Sequence, residues 1–275
     1  MMRTFDHDGV ALSYRDEGTG PALIFQHGLG AQAGQPFEVL GGLTGFRRIT
    51  LECRAQGESA LGPTESLSIA TFANDVLALA DHLGLSRFHL GGISMGAAIS
   101  ARLAARHSRR IQSLCLARPA WVSDAAPANM AIFAEAARFM AAHGREEGRA
   151  RFQAAPAFAA LQKTSPDNAS SLLGQFDAPD LDVRAALLSA IATDGPEVTP
   201  AQLSELSMPT LVIGHDHDAV HPFAFAEELA ALIPSADLAT ITPKSVSRKA
   251  YLTDFSQAIG SFFEAAERSE ALVHG

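Results

Sequence analysis

RFHLGGISMGAAIS, residues 87–100, begins as an apolar strand, bends at a pair of glycines and continues as an alanine-rich helix. At the bend, Gly92, Ser94 and Gly96 spell G-x-S-x-G. A serine at the tip of a strand-to-helix turn is held in a strained backbone conformation with its hydroxyl exposed. Residues without bulk two positions away on either side let strand and helix close on each other. Ala97 and Ala98 carry the small side chains into the helix. Ser94 is therefore the candidate nucleophile.

Upstream, PALIFQHGLG (21–30) runs from a strand into a loop bearing His27, Gly28 and Leu29. Such a loop can aim the N–H of Leu29 at the top of the nucleophile, and with the N–H of Met95 it would make an oxyanion hole. His27 reads as a residue that fixes this loop rather than as a base, and it is carried as a candidate substrate contact.

Short apolar runs at 22–26, 48–52, 88–91, 113–117, 210–213 and 238–241 alternate with segments of helical period. That alternation predicts an α/β fold, a mostly parallel twisted sheet with helices on both faces. The residues through Arg15 read as an antiparallel edge hairpin. Ile69, Phe72, Ala73, Val76, Leu77, Ala80 and Leu83 form a stripe spaced by three and four, a helix that Gly84 ends. A second stripe, Tyr251, Phe255, Ile259, Phe262 and Phe263, marks the last helix. From 122 to 200 the alternation stops. This stretch is rich in alanine, carries SPDN (165–168) and ends in DGPEVTP (194–200). It predicts several short helices without strands, a lid over the edge of the sheet where ligands bind. The expected division is a core of 1–121 and 201–267, a lid of 122–200 and a flexible tail from 268 to 275.

At 275 residues, with 47% hydrophobic and 19% charged side chains, the chain can bury a large core. A formal net charge of −9 argues against a nucleic-acid partner, whose phosphates are met by clustered Lys and Arg. The one basic cluster, Arg102 to Arg110, reads as a solvated helix face. No apolar run is long enough for a membrane span, and MMRTFDHDGV has neither the basic start nor the apolar stretch of a secretion signal. The expectation is a cytoplasmic protein that acts on a small molecule without membrane or cofactor, with a homodimer left open. Cys53 and Cys115 read as small buried residues.

With these residues in hand, the chain resembles the lidded members of the α/β-hydrolase superfamily, which carry a helical cap after the sixth strand. The resemblance extends from the first hairpin to the last helix. It takes in LECRAQGES (51–59), similar to the family's D-x-R-G-x-G-x-S loop, with Glu52 in the aspartate's place and Ala55 in a glycine's. It implies an acid in PTLVIGHDHDAVHP (209–222), where Asp218 follows Gly214 by four residues and precedes Pro222 by four. Its role in the family is to hold an imidazole in one tautomer and stabilise the imidazolium. Asp216 is the weaker candidate, a solvated loop carboxylate.

The resemblance also places a histidine about ten residues before the phenylalanine of the closing helix. Counting back from Phe255 reaches Ser245 or Val246, in TPKSVS (242–247), and no histidine stands there. A serine hydroxyl needs an adjacent base to be an effective nucleophile at neutral pH. His215, His217 and His221 all lie on the Asp218 loop, and His221, three residues after the acid, is the favoured substitute; a histidine that only packs beside Pro222 is the competing reading. Lys244 would qualify only if desolvated. A metal site in HDHDAVH is disfavoured, because neighbouring residues of a short loop diverge, and no metal is expected.

After the strand ending at Ala117, Arg118 and Trp121 in RPAW reach the same edge. Arg118 would clamp a substrate carboxylate, or else pair with Asp124 or another carboxylate to fix the loop; Trp121 would wall the pocket or pack in the core. The functional expectation is a serine hydrolase, esterase or lactonase in type, acting on a small ester, lactone or related carbonyl compound. Two alternatives stay open: a binding protein that has lost the chemistry, and a cofactor-free C–C lyase or isomerase.

Overall fold

The computed structural model describes residues 2–274, with side chains through 269. Its eight strands are β1 (Met2–His7), β2 (Val10–Glu17), β3 (Ala22–Gln26), β4 (Arg47–Leu51), β5 (Phe88–Ile93), β6 (Ile111–Ala117), β7 (Thr210–Gly214) and β8 (Ala236–Thr240). They form one sheet in the order β1-β2-β4-β3-β5-β6-β7-β8. The β1–β2 hairpin is antiparallel and joins β4 antiparallel, while every pair from β4 onward is parallel.

The strand alternation feeds two cores, one on each face. In β3, Leu23 and Phe25 face one side and Ile24 the other, and all three are sealed from solvent. Cys115 and Ala117 of β6 share the face of Leu23, and Leu114 and Leu116 the opposite face. On the Leu23 face lie α1 (Gly34–Val39) and α10 (Arg248–His274), the latter burying Tyr251, Phe255, Ile259 and Phe263. The opposite face is covered by α2 (Ile69–His82) and α3 (Met95–Arg106). Helix α2 begins at Ser68, whose hydroxyl accepts from the N–H of Thr71, and ends at Gly84 with φ of +68°. Arg102 differs from its expected solvated position: it is buried on α3 and donates to Glu197 and to the carbonyl of Pro196. Helix α10 continues through residues expected as a tail, and Gly275 lies outside the described residues.

Between β6 and β7 come α4 (Ala131–Gln153), α5 (Pro156–Thr164), α6 (Pro166–Gly174) and α7 (Leu181–Ala192), with α8 (Pro200–Ser204) leading back to the sheet. Helix α4 is longer than the short helices expected and is broken at Gly144, whose φ of 71° and ψ of −165° no helix allows. Phe139, Phe158 and Phe176 each pack their rings on Phe152, at centroid distances of 5.9, 5.2 and 5.7 Å, and so hold the insertion together. Helix α9 (Phe223–Leu232) follows β7. Among the described residues, no helix is long and apolar enough to cross a membrane.

Candidate active site

Ser94 sits between β5 and α3 with φ 58° and ψ −113°, a conformation that side chains rarely adopt. Two close approaches enforce it. A Cβ on Gly92 would lie 2.4 Å from the carbonyl carbon of Gly96, and one on Gly96 would lie 2.3 Å from the carbonyl oxygen of Gln26. The bend therefore exists only because both positions lack side chains. Ser94 lines a cavity of about 110 Å³ together with Leu29, Gln35, Arg118, Phe133, Asn168 and His221, among others.

The β7–α9 loop supplies the partners. His221 Nε2 lies 2.9 Å from Ser94 Oγ, and its Nδ1 lies 2.9 Å from each oxygen of Asp218. Asp218 folds the loop on itself by accepting the backbone N–H of His221 at 3.0 Å, which brings two side chains three residues apart to the same side. Pro222 then keeps His221 out of helical backbone and starts α9 beyond it.

Asp218 is the hub of the site. Its Oδ1 accepts from Asn168 Nδ2 at 2.6 Å, and its Oδ2 from Arg118 Nε at 2.9 Å and Nη2 at 2.6 Å. Burial alone would raise the carboxyl pKa, but the charges of His221 and Arg118 and the bonds from His221 and Asn168 hold it well below the usual carboxylate range. His221 is also shifted downward, which for an imidazole favours the neutral form: burial disfavours its charge, and the pull of Asp218 is partly cancelled by the nearby Arg118, so its pKa lies below the ordinary 6.5. The imidazole is thus neutral at pH 7. Arg118 Nη2 also lies 3.2 Å from His221 Nδ1. Since a guanidinium only donates, the tautomer that gives the Nδ1 proton to Asp218 and leaves Nε2 free to accept from Ser94 makes that approach a contact of charges rather than a bond.

At three positions the structure takes the structural alternative rather than the substrate contact. His27 does not reach the cavity: it is fully buried, with Nδ1 on the carbonyl of Gly28 at 2.8 Å and Nε2 accepting the N–H of Cys53 at 3.1 Å. Burial pushes its pKa down to about 4, so it is a neutral strut between two loops. Trp121 is 2% exposed and donates from its indole nitrogen to the carbonyl of Asp194, 2.9 Å away, tying the end of β6 to the end of the insertion. Arg118 does line the cavity, but its two-pronged face is already occupied by Asp218, and Nη1 is 3.3 Å from the hydroxyl of Tyr251. It pairs with the protein's own acid and is not free to clamp a substrate carboxylate.

The remaining candidates separate by position. Asp216 and His217 are exposed, whereas His215 is buried, its Nε2 without a hydrogen bond and 3.6 Å from Asp218 Oδ2. Lys244 is exposed at the rim of the cavity, and Val246, in the expected histidine slot, is 64% exposed. Among the described residues no group of three or more His, Cys, Asp or Glu side chains is placed to hold a metal. The N–H groups of Leu29 and Met95 have no acceptor among the described residues, while the neighbouring N–H groups of Gly28 and Gly30 are taken by Gln35 and Gln56. In the 51–59 loop, Glu52 accepts from the N–H groups of Ala33 and Glu58, and Ala55, which stands where the resembled loop has a glycine, has a left-handed φ of 63°.

A family model described as the alpha/beta hydrolase fold matches residues 21–243. The chain belongs to the alpha/beta hydrolase fold family. Among its relatives is the AB hydrolase superfamily protein YisY of Bacillus subtilis, 26% identical over 99% of this chain and 96% of that one. The putative carbamate hydrolase RutD of Rhizobium rhizogenes is 28% identical over 82% of this chain and 85% of its own, while some other relatives are matched over less than half of their length, such as the 3-oxoadipate enol-lactonase 1 of Acinetobacter baylyi, 29% identical over 43% of this chain and 46% of its own. The crystal structure of the enol-lactonase from Burkholderia xenovorans shares the fold with a TM-score of 0.73, at 24% identity over 95% of this chain and 100% of that one. Asn168, Ser165 and Tyr251 were not among the expected site residues. SPDN carried the first two but read only as a turn, and Tyr251 read only as a member of an apolar stripe.

Proposed function

We propose that this chain is a serine hydrolase that cleaves a small ester, lactone or related carbonyl compound, with Ser94 as nucleophile, His221 as general base and Asp218 as the acid that orients it. The observation that carries the reading is the continuous line from Ser94 Oγ through His221 to Asp218, each contact 2.9 Å long. In this reading the Ser94 hydroxyl attacks the carbonyl carbon and His221 Nε2 takes its proton. Asp218 stabilises the imidazolium. The N–H groups of Leu29 and Met95 receive the negative charge on the carbonyl oxygen, as dipoles already in place. His221 then returns the proton to the leaving oxygen, freeing the alcohol and leaving an acyl-Ser94. Water, deprotonated by His221 in turn, hydrolyses that ester and restores the hydroxyl. Residues 122–200 act as the lid that closes the site. The cavity of about 110 Å³ favours a small acyl group, and the names of the relatives, enol-lactonases among them, agree with an ester or lactone substrate.

The test is labelling by a fluorophosphonate probe together with turnover of a panel of esters and lactones. Wild type should be labelled and active. Ser94→Ala should lose both, and His221→Ala should lose turnover by about 10⁴-fold or more. A well-folded wild type that takes up no probe, or a His221→Ala variant as active as wild type, refutes the assignment. Lys244→Ala should retain activity, because His221, not this exposed side chain, is the group hydrogen-bonded to Ser94.

A further inference from the structure

The insertion grips the one loop that carries both Asp218 and His221. At the junction of α5 and α6, Ser165 Oγ donates to the carbonyl of His217 at 2.6 Å and accepts the N–H of Ala219 at 2.9 Å, bracketing Asp218 from both sides. Asn168 Nδ2 donates to Asp218 Oδ1 at 2.6 Å and to Ser165 Oγ at 3.0 Å. The hydroxyl thus gives its one proton and fills both lone pairs. Ser165 and Asn168 are 1% and 7% exposed, so water does not compete for these bonds. A second contact lies beside the proposed oxyanion donor Leu29. Gln175 and Arg184 of the insertion press on Gly30 so closely that a Cβ there would fall 2.0 and 2.3 Å from their side-chain atoms.

We propose that Ser165 and Asn168 are positioning residues through which the insertion holds the acid and the base in register with Ser94. The proposal rests on the reading of His221 as the base. Its physical ground is that one loop carries both groups. When acid and base come from separate loops, each is supported by its own strand; here the turn 215–221 carries both, and three of its residues, Asp216, His217 and Ala219, are exposed. The core reaches this turn through Arg118 on Asp218 Oδ2, while the insertion fixes Oδ1 and the backbone on either side. Docking of the insertion and competence of the base are therefore one event: an insertion displaced from the sheet edge leaves His221 without its aim at Ser94. Misplacement of a reacting group by about 1 Å costs on the order of 10²-fold in rate.

The groups that face His221 are Asp218 and His215 from its own loop, Arg118 from the end of β6 and, behind Arg118, Tyr251 from α10; Asp167 and Lys244 line the same cavity. Only the insertion's contacts need be changed to test the idea. With p-nitrophenyl acetate as probe substrate, Ser165→Ala and Asn168→Ala should lower kcat by roughly 10 to 10²-fold with KM little changed, and Ser165→Thr, which keeps the hydroxyl, should restore most of the loss. In Asn168→Ala the Asp218 charge is shared with one donor fewer, so it holds the imidazolium more firmly, and the acid limb of kcat/KM should move to higher pH. A merely structural loss would lower the rate equally at every pH. In the protein labelled with ¹⁵N-histidine, the downfield Nδ1 proton of His221 should broaden or vanish in Ser165→Ala and remain in Ser165→Thr. Folded Ala variants with the kcat, the pH limb and the Nδ1 proton of wild type overturn the proposal. Should Asn168→Ala fail to fold, the Ser165 pair decides alone, equal kcat in the two counting against it. If His221→Ala keeps wild-type turnover, it is the assignment of the base that falls, a separate outcome.

Discussion

His221 lies on the same loop as Asp218, three residues on, and 127 residues from the serine it faces. The turn 243–247, where the family resemblance places a histidine, lies at the surface instead, with the N–H of Val246 on the carbonyl of Pro243. Two environments act on the imidazole in opposite senses: burial and Arg118 favour the neutral form, and Asp218 favours the charged one. The net shift is downward. A base works only when unprotonated, so kcat/KM should be flat near neutral pH and fall as pH drops through a value below 6.5, the side chain's ordinary pKa. A pH–rate profile whose acid limb sits above 6.5 would show that burial does not dominate at this residue. Arg118 → Asp218 is the other decision made at this scale, since the guanidinium that a sequence reader would offer to a substrate is held by the acid itself.

The nucleophile bend depends on what its glycines leave out. Gly96 lies against the carbonyl oxygen of Gln26, at the end of β3, so a methyl group there must move either the strand or the helix. Gly96→Ala should cost about 1–3 kcal/mol of stability, as overpacked cores do. It should also reduce probe labelling of Ser94 more than the stability loss explains, because the displaced bend no longer presents the hydroxyl. Urea midpoints and labelling rates on the same variant separate the two effects; a variant as stable and as reactive as wild type would mean that the close approach at Gly96 does not shape the bend. The insertion makes the opposite case. Its helices start at signals a sequence displays, Pro156, Pro166 and the capping Asp180, yet what they do for the site comes from Ser165 and Asn168, residues that look like ordinary turn formers until the Asp218 loop is seen against them.

Over the whole molecule, several buried histidines set how folding depends on pH. His27, His215 and His221 all have folded-state pKa values below 6.5, with burial the leading cause in each. Below pH 6.5 the unfolded chain takes up protons that the folded chain refuses, so stability is full above that pH and declines as the pH falls toward the folded values. For His27, at about 4, the loss over this window is on the order of 3 kcal/mol. Urea unfolding should show a midpoint that falls between pH 7 and pH 4.5, and a smaller fall in His27→Asn; a midpoint independent of pH over that range would mean that His27 is not buried as a neutral strut.

The sheet, its hairpin and the serine bend were legible because they follow from local rules. Alternation of apolar residues places β3 and β6 between two layers, a stripe spaced by three and four makes α2, and the glycines around Ser94 permit a single bend. Those rules act over a few residues, and so the chain displays them directly. The approach of His221 to Ser94, the pairing of Arg118 with Asp218, the burial of His27 and Trp121 and the bonds of Ser165 and Asn168 to the Asp218 loop are contacts between distant segments. No local pattern encodes them, because each is chosen by which side chains the packed layers bring within hydrogen-bonding distance. Only the assembled fold could choose among three histidines on one loop, and it aims just one of them at the serine.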